Sequence, residues 1–211
     1  MKTNVYIDGF NLYYRAVRRT NYKWLDLFKV SQALVPSHEV NWIRYFTAQV
    51  LPVADDPSLM VRQAAYIRAL QTIPTLTVHW GQFKRREKAG PVVSPVSGHP
   101  DHARIHVFEE KGTDVNLATY LIMDGYDGDY EQAVVITNDS DLALPISMVK
   151  EKLNLPVGVV NPNLNQRANT PVELREAATF QRRLRESTLR DCQFPSILYD
   201  TNGTIRKPDE W

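Results

Sequence analysis

Ala133-Val134-Val135-Ile136 is an unbroken apolar run. A strand of that kind has no polar face to give to water, so it must be covered on both sides, as in a parallel sheet held between helical layers. Val157-Gly158-Val159-Val160 has the same character, and Val5-Tyr6-Ile7 opens the chain with a shorter version. Segments 40–50, 76–80 and 104–109 hold the β-branched and aromatic residues that suit further strands. Helical spacing falls between them. Residues 10–19 follow an Asp8-Gly9 turn. Leu59, Tyr66, Ile67 and Leu70 share one side of a segment that ends before Pro74. Val115, Ala118, Thr119 and Ile122 share a face after Gly112-Thr113, and Pro145 stands in the first turn of a helix over 145–153. The alternation of strand and helix predicts an α/β fold, a mostly parallel sheet with helices on both faces.

Two stretches break the pattern. Residues 82–103 are rich in Pro, Gly, Ser, Lys and Arg and read as a long loop or hairpin standing off the core. Beyond about Arg175 the chain turns polar and basic and carries an Asn202-Gly203 turn signal. With 211 residues, 43% of them apolar, the chain affords one domain over 1–165 and a C-terminal appendage over 166–211 packed on it or extending from it. No internal repeat is present.

Composition narrows the chemistry. The single cysteine, Cys192, allows no internal disulfide and no cysteine-rich zinc site. The balance of 25 basic and 24 acidic side chains leaves a formal charge of +1, which by itself neither favours nor opposes a nucleic-acid partner. With no signal-like segment ahead of the first strand and no long apolar run, a cytoplasmic protein without membrane association is expected.

Chemistry-bearing residues fall at strand ends. Asp8 closes the first apolar strand. Asp139 and Asp141 follow the 134–137 strand in Thr137-Asn138-Asp139-Ser140-Asp141, and Asp114 opens a helix. Open α/β sheets build their sites outside the carboxyl ends of their strands, so adjacent strands would bring these carboxylates together. Such a cluster repels itself unless a cation is present. An all-oxygen set favours Mg²⁺ or Mn²⁺. Ions of that kind polarise phosphoryl oxygens and generate hydroxide from water, which makes phosphodiester hydrolysis the natural chemistry. Each aspartate also has a local use: Asp8 in a turn, Asp114 at a helix N-terminus, Asp139 and Asp141 as turn formers or caps.

Three motifs in order, Tyr6-Ile7-Asp8-Gly9-Phe10-Asn11-Leu12-Tyr13, Glu110-Lys111-Gly112-Thr113-Asp114-Val115-Asn116-Leu117-Ala118 and Thr137-Asn138-Asp139-Ser140-Asp141, resemble the NYN domain family, in its LabA-like branch, within the PIN-like nuclease superfamily. Tyr22-Lys23-Trp24-Leu25-Asp26-Leu27 and Arg44-Tyr45-Phe46-Thr47-Ala48 resemble family segments too, and the likeness covers about residues 1–165. It implies a Rossmann-like PIN fold and an Mg²⁺- or Mn²⁺-dependent endoribonuclease. Asp8, Asp114, Asp139 and Asp141 would be its acidic metal site, and Asn11 would orient Asp8 or a water.

Other signals have two readings each. Lys84, Arg85 and Arg86 form the densest basic run and would contact RNA phosphates or be a solvated tip, and Lys111 would bind the scissile phosphate or neutralise Glu109 or Glu110. Arg182, Arg183, Arg185 and Arg190 read as a solvated face. His99 and His102 have a metal-like spacing, near His106 but with no cysteine to join them. Trp24, Trp42 and Trp80 are expected in the core, with Trp211 anchoring the tail. A non-catalytic RNA-binding or regulatory module that keeps the metal pocket, and a structure-specific DNA nuclease, are the rival functions. A two-fold homodimer is the commonest assembly for such a chain, and a restraining protein partner stays open.

Overall fold

A computed structural model describes residues 1–52, 56–94, 100–165 and 167–211. Its centre is a seven-stranded sheet in the order β4-β3-β2-β1-β5-β6-β7. β1 (Lys2–Asp8) lies between β2 (Glu39–Ala48) and β5 (Gln132–Ile136), parallel to both. β3 (Leu76–Pro91) runs parallel to β2, β6 (Val157–Asn161) to β5, and β7 (Phe180–Arg183) to β6; only β4 (His102–Lys111) is antiparallel, against β3. The apolar runs of β5 and β6 are buried at every position, as their lack of alternation requires.

Among the described residues, helices cover both faces of the sheet. On one face α1 (Gly9–Leu12), continued by a π-helical turn over Tyr13–Val17, joins α2 (Leu27–Leu34), α3 (Leu59–Leu70) and the C-terminal segment in a core around Trp24, Leu27, Ile43 and Leu70. On the other, α4 (Thr113–Tyr126), α5 (Ala143–Lys152) and α6 (Val172–Ala177) pack around Leu117, Leu121, Val135 and Ile146. α4 buries Leu117, Leu121 and Asp124, while Val115 is exposed, so its inner face is turned from the one its Val115-Ala118-Ile122 spacing suggests. The helix is fixed by a half-buried ionic contact: Arg44 donates to both oxygens of Asp124, at 2.6 and 2.8 Å, and the Tyr6 hydroxyl donates to the same carboxylate at 2.6 Å.

Beyond residue 165 the chain supplies α6, the edge strand β7, α7 (Glu186–Asp191) and a hairpin of β8 (Ile197–Asp200) and β9 (Gly203–Arg206). Arg183 donates to the carbonyls of Asn165 and Ala168, and Arg182 to that of Leu34, so these two arginines satisfy backbone rather than forming a solvated face. The hairpin is tied to α3 by Arg68, which donates twice to Asp200. Trp24 is fully buried between Tyr66, Phe194 and Trp211 and donates its indole N–H to the Pro195 carbonyl. Trp42 and Trp80 are not core residues: they are 36% and 46% exposed, because their strand positions face outward beyond the reach of the helices.

The irregular-looking 82–103 stretch is mostly strand. β3 and β4 pair from Gln82–Lys111 to Pro91–His102 as a hairpin arm reaching past the sheet. Its polar, low-periodicity sequence reflects two solvated faces, where no core imposes an alternation. His99 lies outside the described residues. His102 contacts Asp101 and His106 contacts Arg85, each through exposed side chains. No described helix is long and apolar enough to cross a membrane.

Candidate acidic site

The chain builds β1 through β4 outward on one side, then returns to lay β5 against the free side of β1. That reversal between β1 and β5 is the topological switch point, where open α/β sheets leave a crevice at their carboxyl ends. Asp8 ends β1 there, and Thr137 to Asp141 follow β5.

Local chemistry fixes each group. Asp8 caps α1, its Oδ1 accepting the Asn11 N–H at 2.9 Å and its Oδ2 the Thr137 hydroxyl at 3.1 Å. Thr137 Oγ1 also accepts the Asp139 N–H at 3.1 Å, so one buried hydroxyl links the ends of two strands. Asp139 Oδ1 accepts the Asp141 N–H at 3.0 Å and starts the short 3-10 turn of Ser140–Leu142. The side chain of Asn11 accepts the Asn138 N–H at 3.2 Å, bracing the α1 turn against the loop after β5. The next residue after Asp8 must be glycine on steric grounds, since a Cβ at Gly9 would come within 2.6 Å of the Phe46 carbonyl oxygen. Gly112, at φ +96°, turns the chain from β4 into α4 and so delivers Asp114 in the first helical turn.

Asp8, Asn11, Glu110, Thr113, Asp114 and Asp139 line one open cleft of about 260 Å³ with Phe10, Tyr14 and Arg15. Asp141 is exposed and does not line the cleft, although its charge adds to the negative field on Asp114. The local capping roles and the convergence therefore coexist. Burial pushes the Asp8 carboxyl up to about 6 against the pull of its two hydrogen bonds, with Asp139 and Glu110 adding repulsion. Burial and then the charges of Asp8, Asp139, Glu110 and Asp141 push Asp114 up to about 6.

Glu110 is the cleft residue that sequence reading missed. It accepts the Thr113 N–H at 3.1 Å, and its neighbour Lys111 drew attention instead. Strand alternation was the usable signal: opposite residues on β3 and β4 share a face, so Glu110 lies with Phe83, Arg85, Phe108 and His106, while Lys111 lies with Lys84, Arg86, Lys88 and Glu109. Lys111 sits 3.5 Å from Glu109, which Lys88 also engages. Of the basic residues picked out in the sequence, Arg85 alone shares the face of Glu110; Lys84, Arg86 and Lys111 are on the reverse face. Phe83 meets Phe10 edge to face at 5.5 Å, joining the arm to the cleft.

A second cavity of about 380 Å³ adjoins the acidic one and shares Phe10 and Tyr14 with it. Tyr13, Tyr45, Tyr66 and Trp211 complete its ring-lined wall, and Arg18 stands at its edge with the guanidinium 5.3 Å from the Tyr14 ring centre.

The residues present suit a hard divalent ion. The donors are all carboxylate oxygen, they repel one another, and Asp139 keeps one oxygen unused by any described hydrogen bond. Among the described residues no group of three or more His, Cys, Asp or Glu side chains is close enough to enclose an ion alone.

A mostly parallel α/β sheet with an acidic cleft at its switch point defines a PIN-like protein. The NYN domain profile matches residues 2–182, and the chain belongs to the NYN domain family, whose members are generally nucleases that use divalent metal ions. It is 30% identical, over 236 aligned positions covering all of this chain and 75% of the relative, to the 6-hydroxy-3-succinoylpyridine 3-monooxygenase HspA of Pseudomonas putida (strain DSM 28022 / S16). Its fold is similar to the crystal structure of a protein of unknown function from Vibrio parahaemolyticus RIMD 2210633, with a TM-score of 0.55, 16% identity, and coverage of 88% of this chain and 93% of that one.

Proposed function

We propose that the chain is a divalent-metal-dependent endoribonuclease that hydrolyses RNA phosphodiesters in the acidic cleft. The observation that carries the reading is the convergence of Asp8, Asp114, Asp139 and Glu110 in a cleft open to solvent, at a cost in mutual repulsion that a structural cluster would not repay. Asp8, Asp114, Asp139 and Asp141 would hold Mg²⁺ or Mn²⁺ directly or through water. The ion supplies Lewis-acid charge that stabilises the developing negative charge on the phosphoryl group. The protein's own part is positional. Thr137 and Asn11 hold Asp8 and the loop after β5 at fixed separation, so the site needs little reorganisation as charge develops. The face of Arg85 and His106 offers cationic and hydrogen-bonding groups for the flanking phosphates.

The test is cleavage of single-stranded and duplex RNA and DNA with Mg²⁺, Mn²⁺ or EDTA. Metal-dependent cutting of RNA that is lost in Asp8→Asn and Asp139→Ala is expected. Cutting at the wild-type rate by either variant would remove the assignment.

A second reading rests on the Pseudomonas putida relative, a 6-hydroxy-3-succinoylpyridine 3-monooxygenase by name, and on the ring-lined cavity beside the cleft. Monooxygenation places one atom of dioxygen in the substrate and reduces the other to water with two electrons from a reductant such as a reduced nicotinamide. Dioxygen uptake that depends on both a hydroxypyridine and that reductant, with every nucleic acid left intact, would favour it.

A further inference from the structure

We infer that the cavity lined by Phe10, Tyr13, Tyr14, Tyr45, Tyr66 and Trp211 receives a planar nitrogen-heteroaromatic ring, the unpaired base of the nucleotide next to the scissile phosphate. The inference rests on the nuclease reading and adds a substrate class to it: single strands with an accessible base. Three observations support it. The cavity and the acidic cleft share Phe10 and Tyr14, so a ring in one lies a short way from a phosphate in the other. Tyr14 is 56% exposed, and Phe10 lies nearly parallel to its ring, at 21° and 6.4 Å between centres, so aromatic surface already reaches the cavity mouth. The cavity is mostly apolar but carries Arg18, which no described acidic side chain engages, at its edge, where a strand's phosphate or a base's acceptor edge would lie.

The remaining polar groups are already used. Gln63 accepts from the Val50 N–H and donates to the Ala48 carbonyl, and Tyr66 donates to the Leu25 carbonyl. Asp56, also in the lining, is paired with Arg62, so apart from Thr47 the wall offers mainly ring faces, with Arg18 and Asp56 as its charged groups, instead of a hydrogen-bond code. Stacking is therefore the dominant recognition and tolerates any base, since every base has a π face. A duplex cannot enter without giving up a base pair, so unpaired strands are preferred.

The experiment titrates the full chain carrying Asp139→Asn, which keeps the cavity, with a fluorescently labelled RNA hexamer in Mg²⁺. A matched set of hexamers has one abasic nucleotide at each position in turn. One abasic position is expected to weaken binding by about 5- to 100-fold, the others little, and Tyr14→Ala in the same background is expected to weaken the intact hexamer as much while adding nothing to that abasic one. Circular dichroism checks that Tyr14→Ala is folded, and Arg18→Gln, whose side chain is outside the core, provides a second reading of the same site. Wild-type cleavage measured in parallel separates the two claims. Cutting that is indifferent to abasic position and to Tyr14→Ala overturns the base pocket and leaves the nuclease standing. Base-dependent binding with no cutting by the wild type keeps the pocket and removes the nuclease. Saturable binding of a free hydroxypyridine carboxylate that RNA fails to displace overturns the inference in favour of a small-molecule ring.

Discussion

Asp8 has two hydrogen bonds that favour its charged form and is still pushed up to about 6, so its burial outweighs them. The consequence for stability has a definite sign. A folded-state value above the ordinary 3.8 means that the folded chain binds more protons than the unfolded chain between those values. The contribution is fully present below about pH 4 and is lost as the pH rises through about 6, leaving a cost on the order of 3 kcal/mol for Asp8 at neutral pH. Asp56 and Asp200, held below the usual carboxylate range by hydrogen bonds from Arg62 and Arg68, act in the opposite sense, so the informative quantity is a difference. Thermal unfolding between pH 4 and 7.5 is expected to show Asp8→Asn gaining stability over wild type as the pH rises. Mg²⁺ should close that gap at pH 7.5 and leave pH 4 unchanged. Parallel pH profiles for the two proteins would contradict this account. The convergence of Asp8, Asp114 and Asp139 on one cleft was legible in the sequence because strand ends and helix starts are where α/β sheets leave their crevices. Glu110 was not, since its inclusion depends on which face of a strand it occupies, and that is set by pairing with a partner over twenty residues away.

At the scale of elements, the β3–β4 arm shows what periodicity reveals and what it hides. β5 and β6 were readable because burial on both faces leaves one composition available to them. The arm has no such constraint, and its long strands look like loop. Its pairing divides a basic run that is continuous in sequence between two surfaces, which gives a sharp expectation. Arg85→Glu, on the face of Glu110, should weaken RNA binding and flatten its dependence on salt, while Lys84→Glu, on the reverse, should change both little. Filter binding at several salt concentrations measures this. Equal losses in the two variants would mean that the arm acts as a diffuse charge and not through one face. The same alternation accounts for Trp80, whose β-favouring character was plain but whose exposure depends on where the helices stop.

For the whole molecule, the C-terminal segment is more than an addition to the sheet's surface. β7 completes the hydrogen bonding of β6, and the β8–β9 hairpin and Trp211 close one of the two cores. A chain ending at residue 165 is expected to be poorly soluble and to unfold at lower temperature than the full chain, as read by size-exclusion chromatography and thermal melting. A monodisperse truncation of unchanged melting temperature would show that the segment adds nothing to the domain's integrity. The sequence marked the change of character near residue 175 but gave no partner for Phe180-Gln181-Arg182-Arg183, because a four-residue edge strand has too little periodicity to declare its neighbour.

β6 is buried at all five positions and apolar from Val157 to Val160, and the strand that covers its outer edge is made some twenty residues later. During synthesis the chain therefore passes through an interval in which its stickiest strand has been built and its cover has not. An unpaired apolar edge is a template for other chains. Slowing translation between residues 161 and 183 would lengthen that interval, and the yield of usable protein would then depend on the pace of synthesis as well as on the stability of the finished fold.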